Sequence, residues 1–170
     1  QGAQSINRAC LDAFAGRDLE FQVIHVCGER NFAEASAELE RRRAPVERYK
    51  LLPYTDALAD AMAAADLVVG RAGGSVAEIA ALGRPAVLVP YPYASGDHQR
   101  KNARWAEQGG GALVVDDAEL NGQLLSQLVR GLFADPVRLQ SMAAASRKLG
   151  RPRATVQVVD EIERLLKEDH

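Results

Sequence analysis

The sequence predicts a doubly wound α/β fold built on a parallel sheet, and three observations carry that expectation. Short runs rich in β-branched residues alternate with longer amphipathic runs along the chain, the pattern of successive βαβ units with right-handed crossovers. The runs VIHV, LVV and AVLV are apolar almost without interruption, as suits strands covered on both faces. Glycine, proline or charge bounds each short run, which fixes its length at that of a strand.

Taken in order, the strands are FQVIHVCG, YKLLPY, ADLVVGR, PAVLVPY and GALVVDD. Between them the apolar spacing is helical in SINRACLDAF, FAEASAELERRR, DALADAMAAA, SVAEIAALG and HQRKNARWAEQ. Two or three more helices follow in LNGQLLSQLVRGLF, PVRLQSMAAASRKL and TVQVVDEIERLLKE. There is no internal repeat, low-complexity segment or linker, so residues 1–170 read as one domain with a terminal helix over 152–168. The chain opens QGAQSINRACLDAF, entering a helix with no strand ahead of it. That opening reads as a cut inside a strand–loop–helix junction, with the domain's first strand missing.

Composition narrows the classes of function. Hydrophobic residues make up 47% of the chain but aromatic ones only 5%, which favours closely packed helices over a large aromatic-lined pocket. A formal net charge of −2 argues against nucleic acid or anionic lipid as a partner of this chain. Two cysteines, Cys10 and Cys27, are too few for a disulfide framework and suit a reducing, cytoplasmic setting. No run reaches the ~20 apolar residues that span a bilayer.

In open α/β sheets, ligands bind beyond the carboxyl ends of the strands, so the loops to inspect are VCGERN, PYTD, GRAGGS, PYPYASGDHQ and VDDAE. In GRAGGS, Gly73 and Gly74 allow close backbone approach and Ser75 is placed to cap the next helix. Free N–H groups and the dipole at such a start suit phosphate. Glu78 follows about one turn later, where a carboxylate is placed to accept from ribose hydroxyls. An ordinary helix start explains the same residues and stays open at this point. In GDHQ, Asp97, His98 and Gln99 crowd a helix start, where an imidazole and an amide are suited to grading sugar hydroxyls. An Asp97 N-cap with surface polar neighbours explains the same residues and also stays open. Tyr54 and Thr55 suit a flat base, or a tyrosine packed at a sheet edge. His25, inside an apolar strand, reads as a satisfied core histidine and Cys27 as inert packing. Asp116-Asp117 reads as a strand end leading to a helix cap rather than a metal pair, so no metal or other cofactor is assigned.

Together, the opening QGAQSINR, the block ADLVVGRAGGSVAEIAALGRPAVLVPYP and GDHQRKNA resemble the carboxyl-terminal, donor-binding domain of the MurG family of glycosyltransferases. The resemblance covers nearly the whole chain. It implies a Rossmann-like half of a two-domain GT-B fold. The implied activity is inverting transfer of GlcNAc from UDP-GlcNAc to the 4-hydroxyl of the undecaprenyl-linked muramoyl-pentapeptide in peptidoglycan synthesis. Lipid acceptor, membrane-surface contact and general base would belong to an amino-terminal half, with the full protein peripheral on the inner face of the cell membrane. By the same resemblance, Gln1 and Gly2 end a loop reaching the donor diphosphate. Tyr54 and Thr55 flank uracil, Gly73, Gly74 and Ser75 form the phosphate turn, Glu78 holds ribose, and His98 and Gln99 face the sugar. Two departures stand out: the Gly73–Glu78 interval is one residue shorter than the family's, and His98 replaces a glutamine. Competing readings are a free-standing donor-binding subunit of a dolichol-type GlcNAc transferase, a UDP-GlcNAc 2-epimerase whose catalytic acids are not found here, and a non-catalytic nucleotide-sugar module.

Overall fold

The computed structural model describes residues 3–44 and 47–168. Among them the chain runs α1 (Gln4–Phe14), β1 (Val23–Val26), α2 (Glu29–Arg41), β2 (Tyr49–Leu52), α3 (Leu58–Ala64), β3 (Val68–Gly70) and α4 (Ser75–Ala81). It continues through β4 (Ala86–Leu88), a 3-10 turn over Ser95–Asp97, α5 (His98–Gln108), β5 (Ala112–Val114), α6 (Gly122–Phe133), α7 (Pro136–Leu149) and α8 (Ala154–Glu168). Each of the five expected strands is present, as are the five helices interleaved with them, and the tail forms three helices.

All strand pairs are parallel. They fall into two ladders, β1–β2 and β3–β4–β5, with no described strand joining β1 to β3. The period of two along β4 divides the core. Val87 and Val89 face one cluster, packed by α1, α2, α6 and α7, while Ala86 and Leu88 face the other, packed by α3, α4 and α5. The three β4 residues and Val89 just after them are all buried, as their apolar run predicts. β1 is different. His25 is buried toward α1, yet Ile24 on the opposite face is 52% exposed. The helices of the second layer cover only the three-stranded ladder, so the expectation that β1 is covered on both faces fails there.

Small residues set the spacing of the helices. A Cβ on Gly111 would lie 2.9 Å from the Ser146 backbone, and one on Gly150 would lie 2.4 Å from the Ala80 carbonyl oxygen. α7 therefore packs at backbone contact against α4 and the start of β5. Two caps supply local starts: Asn121 accepts from the Leu124 N–H at 2.9 Å, and Asp135 accepts from the Arg138 N–H at 2.9 Å with Pro136 opening α7. The cap of α6 is thus Asn121 and not the Asp116-Asp117 pair.

His25 joins three elements. Asn7 on α1 donates its amide to the Cys27 carbonyl at 2.8 Å, which leaves Asn7 Oδ1 to accept from His25 Nε2 at 2.9 Å. His25 Nδ1, then unprotonated, accepts from the Tyr49 hydroxyl at 2.8 Å. The expected core histidine is found, with both ring nitrogens satisfied. Burial lowers its pKa from 6.5 to about 4, because the charged ring is penalised in the apolar interior. The unfolded chain therefore binds the extra proton first, and stability supplied by neutral His25 is complete above pH 6.5 and lost as pH falls toward 4. The loss across that window is on the order of 2–3 kcal/mol. Denaturant unfolding at a series of pH values should show this slope in the native chain, and His25→Gln should flatten it.

Candidate functional site: the carboxyl ends of the strands

The turn between β3 and α4 is built for outside access. A Cβ added to Gly73 or Gly74 would meet no heavy atom within 4 Å, and Gly74 has ordinary helical angles, φ −59 and ψ −29. Neither packing nor, at Gly74, conformation demands glycine, in contrast to Gly83, which has φ +63 and packs on Arg147. Ser75 is the first helical residue and Gly74 the N-cap, and no side chain caps this helix. The expected Ser75 cap is therefore corrected: a hydroxyl already inside the first turn lies beyond the position from which caps reach back. Glu78 sits in that first turn, exposed, and its carboxylate makes no hydrogen bond or ion pair to a described residue.

The loop after β4 meets this turn from the side. Asn102 on α5 donates to the Ala72 carbonyl at 3.1 Å and the Gly73 carbonyl at 3.4 Å, bracing the turn. Gln99 Oε1 accepts from the Tyr91 N–H at 2.9 Å. Its carbonyl end is thus committed, and the group it presents outward is its NH₂ donor. His98 Nδ1 donates to the Ser95 carbonyl at 2.7 Å, so in the neutral ring Nε2 is the acceptor. Asp97 is the N-cap residue of α5 but makes no cap bond, because it sits in the left-handed region at φ 55. Its carboxylate lies 3.5 Å from Arg100 instead.

Tyr54 and Thr55 follow β2 at the end of the other ladder. Tyr54 is 62% exposed, so the reading of a tyrosine packed at a sheet edge does not hold. Thr55 Oγ1 accepts from the Ala57 N–H at 3.1 Å, which folds the loop. Gln1 and Gly2 lie outside the described residues. Cys27 is buried with its thiol on the Leu52 and Gly28 carbonyls, and burial raises its pKa. Packing is its role here.

Arg71 and Asn102 went unnoticed as individual residues in the sequence reading. Arg71 NH1 donates to Asp117 Oδ1 at 2.5 Å and to the Val89 carbonyl at 3.1 Å, and NH2 donates to Ser5 Oγ at 2.8 Å. The guanidinium also lies 5.3 Å over the Tyr91 ring. Ser5 Oγ donates to Asp117 Oδ1 at 2.6 Å. Burial pushes the Asp117 carboxyl up, but the bonds from Ser5 and Arg71 and the charge of Arg71 outweigh it, so the group stays below the usual carboxylate range. An arginine beside the glycine turn is a signal that the sequence did offer. Its partners, 46 residues later and 66 earlier, were not legible there.

The model of the glycosyltransferase family 28 C-terminal domain matches residues 1–158. The chain belongs to that family. A UDP-N-acetylglucosamine–N-acetylmuramyl-(pentapeptide) pyrophosphoryl-undecaprenol N-acetylglucosamine transferase of Halothermothrix orenii is 41% identical over 96% of the chain, and this match covers 46% of the relative. The enzyme of the same name from Moorella thermoacetica is 41% identical over 95% of the chain and 45% of its own length. The crystal structure of Acinetobacter baumannii MurG superposes with a TM-score of 0.83 at 30% identity, covering 96% of this chain and 49% of that one. The calicheamicin glycosyltransferase CalG4, at 23% identity and a TM-score of 0.71, shares the fold. As a family 28 C-terminal domain, the chain spans about half the length of these relatives.

The contrast among glycines is testable by thermal unfolding. Gly74→Ala should leave stability unchanged or raise it by up to about 1 kcal/mol, since the angles suit alanine and the space is open. Gly150→Ala should lower it by about 1–3 kcal/mol through backbone overlap with Ala80.

Proposed function

We propose that this family 28 domain is the donor-binding half of an inverting glycosyltransferase that moves GlcNAc from UDP-GlcNAc to the 4-hydroxyl of the undecaprenyl-linked muramoyl-pentapeptide, converting lipid I to lipid II. The observation that carries the reading is the Gly73–Ser75 turn: two glycines that the fold itself leaves open, at an uncapped helix start with an unpaired Glu78 one turn in. Diphosphate sits against the turn's N–H groups, Glu78 accepts from the ribose hydroxyls, and Tyr54 and the Thr55 backbone receive uracil. Gln99 presents its NH₂ to a sugar hydroxyl, with His98 beside it, and Gln1 and Gly2 complete the phosphate side. As UDP departs, its growing charge is stabilised by helix-terminal N–H groups that are already oriented. The general base and the lipid-acceptor groove belong to the remaining half of the longer protein, which also makes the contact with the inner face of the membrane. Among the described residues no helix is long and apolar enough to cross a membrane.

The same reading gives roles to two surfaces. A strand of the longer protein fills the break between β1 and β3. The exposed apolar stripe of α8, with Val158, Val159, Ile162, Leu165 and Leu166 all about half exposed or more, packs against that protein's other half. A free-standing donor-binding subunit of a dolichol-type GlcNAc transferase, or a non-catalytic nucleotide-sugar module, is disfavoured by the relatives, which carry one transferase name across nearly the whole of this chain.

Glu78→Ala should weaken UDP by roughly ten- to a hundredfold, the cost of one charge-assisted hydrogen bond, with little change in folding because Glu78 has no protein partner. Unchanged affinity in titration calorimetry would remove the ribose role. Gln99→Glu keeps an acceptor for the Tyr91 N–H but loses the outward donor. It should erode the preference for UDP-GlcNAc over UDP-GalNAc while UDP affinity holds; equal losses for all three ligands would make Gln99 a structural brace. Transfer of radiolabelled GlcNAc to a soluble lipid I analogue should need the other half restored, because orienting the acceptor is worth up to ~7–11 kcal/mol. Turnover by this chain alone would place the base within it.

A further inference from the structure

The sequence separates the elements that surround the proposed diphosphate seat, and one side-chain cluster joins them. The first turn of α1 contains Ser5, β3 leads directly into Arg71 and the Gly73–Ser75 turn, β4 runs into Val89 and Tyr91, and β5 ends just before Asp117. Asp117 Oδ1 accepts from both Ser5 Oγ, at 2.6 Å, and Arg71 NH1, at 2.5 Å, while Arg71 NH2 closes the ring onto Ser5 at 2.8 Å. Arg71 also holds the Val89 carbonyl and lies over Tyr91, whose N–H is bound by Gln99. The side chains of Arg71 and Asp117 are 15% and 23% exposed, so the pair is sheltered from the screening that weakens surface ion pairs.

We propose that Asp117 is a positioning residue for nucleotide diphosphate: by orienting the Arg71 guanidinium and accepting from Ser5, it fixes the first turn of α1 against the Gly73–Ser75 turn. This inference rests on the reading of that turn as a diphosphate seat. Asp117 touches no nucleotide. Its carboxylate sets the plane of Arg71, whose rigid fork reaches two other loops at once. Without the carboxylate, Ser5 loses its acceptor and the guanidinium loses the anchor that sets its plane, so the Arg71–Ser5 bond that remains holds α1 less firmly. Two N–H-bearing segments would then no longer be held at the separation one diphosphate requires, and small misplacements of such groups are costly. Base and ribose contacts, made by Tyr54, Thr55 and Glu78, have no hydrogen bond to this cluster.

The test is the gain in affinity from uridine to UDP, measured by titration calorimetry for UDP and by displacement for uridine. In the native chain UDP should bind more tightly than uridine. Asp117→Asn and Asp117→Ala should each reduce UDP affinity roughly tenfold and leave uridine unchanged, and Asp117→Glu should recover part of the loss. Ser5→Ala, which removes a hydroxyl alone, should reduce the same gain by less, and it carries the test if the Asp117 variants do not fold. An unchanged gain in folded variants overturns the inference. So does an equal fall for both ligands, which would mean general loosening. Tighter UDP binding also overturns it, because Asp117 would then act only by cancelling the charge of Arg71. A native chain that binds UDP no better than uridine would defeat the reading of the seat itself, an outcome separate from any behaviour of the variants.

Discussion

The loops that follow β3, β4 and β5 are organised, together with the start of α1, around one sheltered guanidinium. A parallel sheet delivers its loops to one side as independent chain segments, each tied to its own strand and helix. Backbone ladders hold the strands but say nothing about how the loops lie relative to one another. Arg71 supplies that missing relation, since its donors reach Asp117, Ser5 and the Val89 carbonyl while its face covers Tyr91. Arginine suits this position because its planar, permanently charged fork can meet several acceptors in fixed directions, which a lysine ammonium cannot.

A second polar network does the equivalent work for the other ladder. His25, Asn7 and Tyr49 link α1 to β1 and β2 within the apolar interior, and each bond fixes the direction of the next. α1 is thereby held at two points, by Asn7 to the end of β1 and by Ser5 to the loops after β3 and β5. It thus ties residues of both ladders together, although no described strand pairs one ladder with the other. Losing one partner in either network would leave the other polar group unsatisfied, which is costly in a sheltered site.

The secondary structure was legible because it is written in local periods. Strand and helix alternation, the apolar run of AVLV and the amphipathic spacing of TVQVVDEIERLLKE each point to the element that is observed. The sequence also placed GRAGGS and GDHQ at the carboxyl ends of strands, as found. It misjudged caps. Ser75, Asp97 and Asp116 all have cap chemistry, yet Ser75 is already helical, Asp97 is left-handed and Asp116 leans toward Arg100. A cap depends on backbone angles and competing partners, which a residue type does not specify. The exposure of Ile24 escaped for a related reason: apolar character shows that a residue can be buried, while coverage depends on how far the second helical layer extends.

By itself, then, the sequence determined the element order, the parallel sheet, the core histidine and the loops that gather at one end, because each follows from near-neighbour spacing or from the chirality of βαβ units. It also carried the family, through motifs whose residues lie close together in the chain. Tertiary structure alone decided which residues hold those loops in register. Ser5, Arg71 and Asp117 are far apart in sequence, and nothing local to any one of them names the other two. Their association exists only once three strands have paired and α1 has docked. The same docking turned Gln99 so that its carbonyl is spent on Tyr91 and its amide left outward. That orientation is a matter of packing geometry, and geometry is the one thing a string of residues does not contain.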